Sequence, residues 1–229
     1  MSSVTASRVF VVIAAYNEAE TIRSVVDRVM TIYPNVVVVD DGSTDGSSTC
    51  LRGSPAFVLR HIVNRGQGAA LQTGIDFALA KAAEIVVTFD ADGQHDERDI
   101  ASLVHPILSG ECDVTLGSRF LGQAHGIPLT RKLVLRAGVL FTRIVSRIRV
   151  TDIHNGLRAF SRPAASSLHI TMDRMAHASE ILDQIRKSGW RYRELPVHIY
   201  YSRYSLGKGQ SSWNALRVAS QVLIKKVFQ

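Results

Sequence analysis

The stretch Glu84-Ile-Val-Val-Thr-Phe-Asp-Ala-Asp-Gly-Gln94 decides the fold. Residues 85–89 form a short apolar run rich in β-branched side chains and bounded by polar ones, the pattern of a strand buried on both faces. The run ends on two carboxylates, Asp90 and Asp92, with one small residue between them. In an open α/β sheet, ligands bind in the crevice beyond the carboxyl ends of the strands. Two acids at such an end set hard oxygen ligands where a diphosphate would lie. Mg2+ or Mn2+ takes one or two carboxylates there and completes its shell with water and phosphate oxygens. The same residues also fit a polar strand end running into an Asp-Gly turn, so the surrounding chain has to decide.

Working outward, residues 9–15 read as an apolar strand that stops at Tyr16-Asn-Glu18. Ile22, Val25, Val26, Val29 and Met30 recur at helical spacing and end before Pro34. Residues 36–39 form the next buried strand, which again stops in acids, Asp40-Asp-Gly-Ser-Thr-Asp45. A third strand is predicted over 57–62, and Asn64-Arg-Gly-Gln-Gly68 leads into a helix over 69–82. Asp96-Glu-Arg-Asp99 opens another helix, with acids in its first turn favoured by the helix dipole. Residues 114–116 make a further strand before Gly117-Ser-Arg-Phe120. A helix near 178–187, a strand near 192–200, a Gly-rich loop and a terminal helix at about 211–228 complete the chain, with Trp190 and Tyr192 packing in the sheet. Alternating strands and helices predict an α/β fold, a mainly parallel sheet with helices on both faces and its acidic loops gathered along one edge. No repeat or linker interrupts residues 1–229, which read as a single domain.

Charge is concentrated. Between Asp113 and Asp152 there is no acid, while Arg119, Arg131, Lys132, Arg136, Arg143, Arg147 and Arg149 lie there. Without those seven, the other 20 basic residues balance the 20 acidic ones, so one segment carries the whole net charge of +7. Within about 127–150, Leu133, Ala137, Leu140, Phe141, Ile144 and Ile148 recur at helical spacing, an amphipathic helix with a basic face. A solvated face, a nucleic-acid surface and a membrane-surface helix all fit that pattern. Interleaved aromatics, a zinc pattern and a helix-turn-helix signal are absent, which argues against nucleic acid. The membrane-surface reading is preferred, and the terminal helix, with Trp213, Leu216 and Leu223 on one side, either assists it or packs on the domain. No run of 18 uncharged apolar residues occurs, and residues 1–8 lack a signal-type pattern. Cys50 and Cys112 have neither metal nor framework spacing, which suits a reduced cytoplasmic setting.

Two nucleotide-binding designs are disfavoured. The first strand is followed by Ala14-Ala-Tyr-Asn-Glu18 rather than a Gly-rich Rossmann turn, and no G-x-x-x-x-G-K-[ST] occurs. Tyr16-Asn-Glu18, Val39-Asp-Asp-Gly-Ser-Thr-Asp45, Asn64-x-Gly-x-Gly68, Asp90-Ala-Asp-x-Gln94 and Gly117-Ser-Arg-Phe120 together resemble the family 2 glycosyltransferases, in order and in spacing. Asp152-x-x-x-Gly-x-Arg158, Glu194-Leu-Pro-Val197 and the Arg/Gly/Lys/Ser loop after Tyr201 narrow the likeness to polyprenyl-phosphate glycosyltransferases of the dolichyl-phosphate mannosyltransferase type. The resemblance runs from about residue 9 to 212.

It implies a GT-A fold, a nucleotide-diphosphate sugar donor, Mg2+ or Mn2+, and a polyprenyl phosphate acceptor at the cytosolic membrane surface, with room for an integral-membrane partner protein. It further implies that Tyr16, Glu18 and Asp41 hold base and ribose. Asp90, Asp92 and Gln94 would surround the metal, with the Ala91 backbone beside the diphosphate. Arg119 would lie near the leaving group and the acceptor phosphate, Arg131 would take that phosphate, and Arg203 and Lys208 would close over the nucleotide. Three positions depart from the pattern: Ala14 stands where a proline is usual, Leu135 where a phosphate-binding serine is expected, and Asn155 where a small residue precedes Gly156. Asp152, with Glu180 second, is the candidate for a carboxylate near the acceptor; Asp152 also fits a loop acid beside Arg158. His95 and His154 lie close to motifs, and the other histidines read as surface or core residues. A hydroxyl acceptor on the same fold, a nucleotidyltransferase and a basic nucleic-acid-binding domain are the competing readings.

Overall fold

In the computed structural model, residues 6–125, 148–172 and 176–201 are described. They build one seven-stranded sheet. In chain order the elements are β1 (Val9–Ala15), α1 (Ile22–Met30), β2 (Asn35–Asp40), α2 (Ser47–Cys50), β3 (Phe57–Arg60), α3 (Gln67–Ala80), β4 (Ile85–Asp90), α4 (Asp99–Leu108), β5 (Val114–His125), β6 (Arg158–Ser161), α5 (Arg162–Ser167), α6 (His177–Ser188) and β7 (Tyr192–Tyr200). The sheet order is β3-β2-β1-β4-β6-β5-β7. Strands β1 to β4 are parallel, β6 pairs antiparallel with both β4 and β5, and β7 returns parallel to β5.

The central strands are apolar on both faces because both faces are covered. Val9, Val11 and Ile13 of β1 pack with Val25, Val26 and Val29 of α1 and Ile100, Leu103 and Val104 of α4. Phe10 and Val12 pack on the other side with Leu71, Ile75 and Ala78 of α3 and Ile181, Leu182 and Ile185 of α6. Residues 85–89 of β4 are buried throughout, as their composition predicts. Trp190 and Tyr192 pack against the second of these layers.

The largest difference from the sequence expectation is β5, expected over 114–116 and running from Val114 to His125 because it pairs with β7 again beyond Ser118; three smaller boundary shifts have local reasons. The third strand ends at Arg60 rather than 62, because the His61 side chain turns to Asp41. Helix α3 starts at Gln67, where Gly66 (φ 96°) supplies a left-handed backbone and its N–H goes to Asp41. Helix α4 starts at Asp99, since the Asp96 carboxylate folds onto the backbone and guanidinium of Arg98. The chain leaves β1 toward β2 on one side while β4 pairs on the other. The crevice at that reversal, at the carboxyl ends of β1 and β4, is where an open sheet places its ligand.

Candidate active site

The loops after β1 and β2 are sewn together by short polar side chains. Ser43 Oγ accepts from Asn17 N at 2.9 Å, Ser47 Oγ from Glu18 N at 2.8 Å and Asp45 Oδ2 from Ala19 N at 2.9 Å. Asn17 adopts φ 54°, a left-handed conformation that asparagine tolerates, and its side-chain oxygen accepts from Thr44 N at 2.9 Å. The Ser, Thr and Asp of Asp40-Asp-Gly-Ser-Thr-Asp45 therefore shape the Tyr16–Glu18 loop, leaving Tyr16 45% exposed at the crevice. Thr21 Oγ1 ties the same loop to the next, reaching Ala91 O at 2.8 Å with Glu18 Oε2 at 3.2 Å.

Asp41 is placed in the crevice wall, but its carboxylate is occupied. Oδ1 accepts from Arg65 N at 2.9 Å and lies 2.7 Å from His61 Nδ1, while Oδ2 accepts from Gly66 N at 2.7 Å. His61 Nε2 is in turn 3.0 Å from Thr73 Oγ1 on α3. In this arrangement Asp41 fixes the Asn64–Gly68 loop, and His61, which had read as an ordinary surface or core residue, is its partner.

Asp90 and Asp92 share the end of β4 under different electrostatics. Asp90 Oδ1 accepts from Gln67 Nε2 at 3.1 Å, and Oδ2 lies 2.9 Å from His95 Nε2. Burial works against the Asp90 charge, but the hydrogen bond from His95, with the positive charge of His177 and Arg119 nearby, holds its carboxyl below the usual range. Asp92 accepts from Gln94 N at 3.0 Å and from Gln94 Nε2 at 2.6 Å. Burial, and then the charge of Asp90 beside it, push Asp92 up to about 6. Two desolvated carboxylates side by side, one of them raised by the charge of the other, suit a cation. Among the described residues no group of three or more His, Cys, Asp or Glu side chains is set to enclose an ion. The acid pair fits the partial shell of a metal that draws its remaining ligands from phosphate and water.

A third part lies beyond β5. That strand leaves its ladder with β7 between Ser118 and Gln123, and the Arg119 N–H turns to Asp152 Oδ2 at 3.1 Å. Arg119 Nε donates to the same oxygen at 2.6 Å, and its Nη1 donates to Tyr201 Oη at 2.7 Å. Both members of this ion pair are buried, Arg119 being 8% and Asp152 4% exposed. Glu194 of β7 holds the Asp152 loop from behind by accepting from Thr151 N at 2.8 Å and Asp152 N at 3.2 Å. Arg158, buried on β6, donates to the carbonyls of Ile153 at 2.7 Å and Asn155 at 3.1 Å. Burial pushes the Arg158 guanidinium down to about 10, against the pull of Asp90 and Asp152. His154 is likewise pushed down by burial, with Asp152 opposing.

The structure thus brings Tyr16, Glu18, Asp41, Asp90, Ala91, Asp92 and Gln94 to one sheet edge, and the Arg119 charge reaches Asp90 there. Glu180 instead braces its own neighbourhood, accepting from Thr171 N at 3.0 Å and Met172 N at 2.8 Å. Arg131, Arg203 and Lys208 lie outside the described residues, as do the terminal helix and most of the basic segment. The end of that segment packs inward, with Ile148 and Val150 in the core.

Comparison with known proteins agrees with this geometry. Residues 10–168 match the family described as Glycosyl transferase family 2. The chain is 30% identical to a UDP-N-acetylglucosamine–dolichyl-phosphate N-acetylglucosaminyltransferase of Methanococcus voltae, over 96% of each chain. It is 28% identical to a polyprenol monophosphomannose synthase of Mycolicibacterium smegmatis, over 93% of this chain and 84% of that one. The fold superposes on glucosyl-3-phosphoglycerate synthase of Mycobacterium tuberculosis, solved with Mn2+, UDP and glucosyl-3-phosphoglycerate, with a TM-score of 0.68 and 24% identity over 93% of this chain and 79% of that one. With this fold, this edge and these relatives, the chain belongs to glycosyl transferase family 2 and has the GT-A fold.

Proposed function

We propose that this protein transfers a sugar from a nucleotide-diphosphate donor to a polyprenyl phosphate, with inversion at the anomeric carbon. The observation that carries the choice of acceptor is the state of the two candidate bases. A sugar hydroxyl needs a free carboxylate to take its proton. Asp152 Oδ2 accepts twice from Arg119, and Glu180 accepts from the Thr171 and Met172 backbone. A phosphate monoester, with a second pKa of about 6, arrives at neutral pH already charged and needs no base. The names of the two curated relatives support the same acceptor class.

In the reaction an acceptor phosphate oxygen bonds to the anomeric carbon as the bond from that carbon to the donor diphosphate breaks. The bonding pair leaves on the nucleoside diphosphate. Tyr16 and Glu18 would face the nucleoside, with Asp41 setting the loop beside it. Asp90 and Asp92, with Gln94 fixing Asp92, would hold Mg2+ or Mn2+. That cation, when bound, offsets the negative charge of the leaving diphosphate. Arg119 supplies a fixed positive charge for the two phosphate groups; Asp152 and Tyr201 set its orientation, and Glu194 sets Asp152. Arg131 would take the acceptor phosphate, and Arg203 and Lys208 the nucleotide. The basic segment at about 127–150 would bring the protein to the cytosolic face of an anionic membrane. No described helix is long and apolar enough to cross one. The test is incubation with UDP- and GDP-sugars in Mg2+ or Mn2+, with and without undecaprenyl phosphate, following nucleoside diphosphate release. Release should require the lipid phosphate; release driven instead by oligosaccharide acceptors would contradict the proposal.

A further inference from the structure

Asp90 is held from three directions, by the loop that follows its own strand and by two segments distant in the chain. Gln67, the first residue of α3, donates to Oδ1 at 3.1 Å, and His95 Nε2 sits 2.9 Å from Oδ2. Gly156 closes the third side, since a Cβ there would fall 2.2 and 2.3 Å from the two oxygens. His95 is itself immobilised. It is 3% exposed, its ring lies 5.3 Å from that of Phe89, and its backbone bridges antiparallel to Ile199 of β7. The other ring nitrogen, Nδ1, is buried without a hydrogen-bond partner among the described residues. A stranded N–H is rarer in protein interiors than a stranded acceptor, so the geometry assigns the ring proton to Nε2, the atom facing Asp90. By contrast Asp92 is held, among the described residues, by Gln94, its neighbour in the same turn.

Resting on the cation reading above, we propose that His95 and Gln67 are positioning residues. They fix the Asp90 carboxylate in one orientation for the cation and diphosphate, and they act through Asp90 rather than on the sugar. Partners that orient a ligating group in this way are typically worth roughly 10-fold to 100-fold in metal affinity or activity. Packing alone would make a different demand on His95: a phenyl ring would fill the same space against Phe89.

The experiment is calorimetric titration of Mn2+ into the full chain, alone and with UDP or GDP present. It compares the native protein with His95→Phe, which keeps a ring and loses the N–H, His95→Gln, which restores an N–H donor, and Gln67→Leu. His95→Phe and Gln67→Leu should each weaken Mn2+ binding by roughly 10-fold or more, while His95→Gln stays within about 3-fold of native. Turnover should fall in kcat, with KM for the lipid phosphate unchanged. Gln67→Leu carries the test if His95→Phe does not fold. A metal-free readout stands beside these: the ring ¹⁵N shifts of His95 should show a protonated Nε2 and a bare Nδ1. Native Mn2+ affinity in both His95→Phe and Gln67→Leu, or a proton on Nδ1, would overturn this inference and leave the cation reading standing. A native chain that takes up no Mn2+ even with nucleotide would overturn both.

Discussion

Asp92 pays for its place. Its carboxyl is raised from an ordinary 3.8 to about 6, chiefly by burial and then by Asp90. A group whose folded value lies above its unfolded one destabilises the fold once it must ionise. The penalty is absent below about pH 4, grows between about 4 and 6, and is complete above that window. Asp92→Asn should therefore stabilise the metal-free protein by about 1–3 kcal/mol at pH 8 and by little at pH 4, while abolishing transfer. Thermal melts at the two pH values check it; equal shifts at both would contradict it. Removing Asp152 should instead destabilise the fold. Asp152→Ala strands the buried Arg119 guanidinium and should cost about 3–5 kcal/mol in a denaturant titration. A loss under about 1 kcal/mol would show that Arg119 finds another partner or water.

The turn before β6 makes the next case. Gly156 lies against the Asp90 oxygens, and its carbonyl accepts from Thr88 Oγ1 at 2.6 Å, so loop and strand cannot separate to admit a side chain. Gly156→Ala should lower stability by about 1–3 kcal/mol through overpacking and weaken Mn2+ binding with it. An unchanged melting temperature would contradict the close approach. This turn also marks where the sequence stops being legible. Strands β1, β2 and β4 stand out because each is a short apolar run rich in β-branched residues, β2 and β4 ending in acids and β1 in the Tyr16–Glu18 loop. β6 does not: Arg158-Ala-Phe-Ser161 is four residues long, starts with a charge and has no alternation, and only insertion between β4 and β5 makes it a strand. Helices α2 and α5 are likewise too short to show a period. Motif acids could be read from the sequence, and the charges of Asp92 and Arg119 both reach Asp90. The residues that hold them could not, because Gln67, His61 and Tyr201 meet their partners across 23, 20 and 82 positions.

Taken whole, the chain carries its excess charge in a segment that is predicted from sequence to be an amphipathic helix. If that helix lies on a membrane, replacing Arg136, Arg143 and Arg147 with glutamine should weaken binding to anionic vesicles about a hundredfold, each charge contributing about 1 kcal/mol. Neutral vesicles should bind neither protein well, and added salt should weaken the native interaction. Equal sedimentation of mutant and native protein with anionic vesicles would assign the segment to packing instead. The acid edge and the engaged state of Asp152 and Glu180, the two candidate bases, both point to an acceptor that brings its own charge. The most direct measurement offers undecaprenyl phosphate and undecaprenol side by side, with labelled donor sugar and Mn2+, and counts label in the extracted lipid. Label should appear in the phosphate lipid alone; label in undecaprenol at a comparable rate would contradict the account.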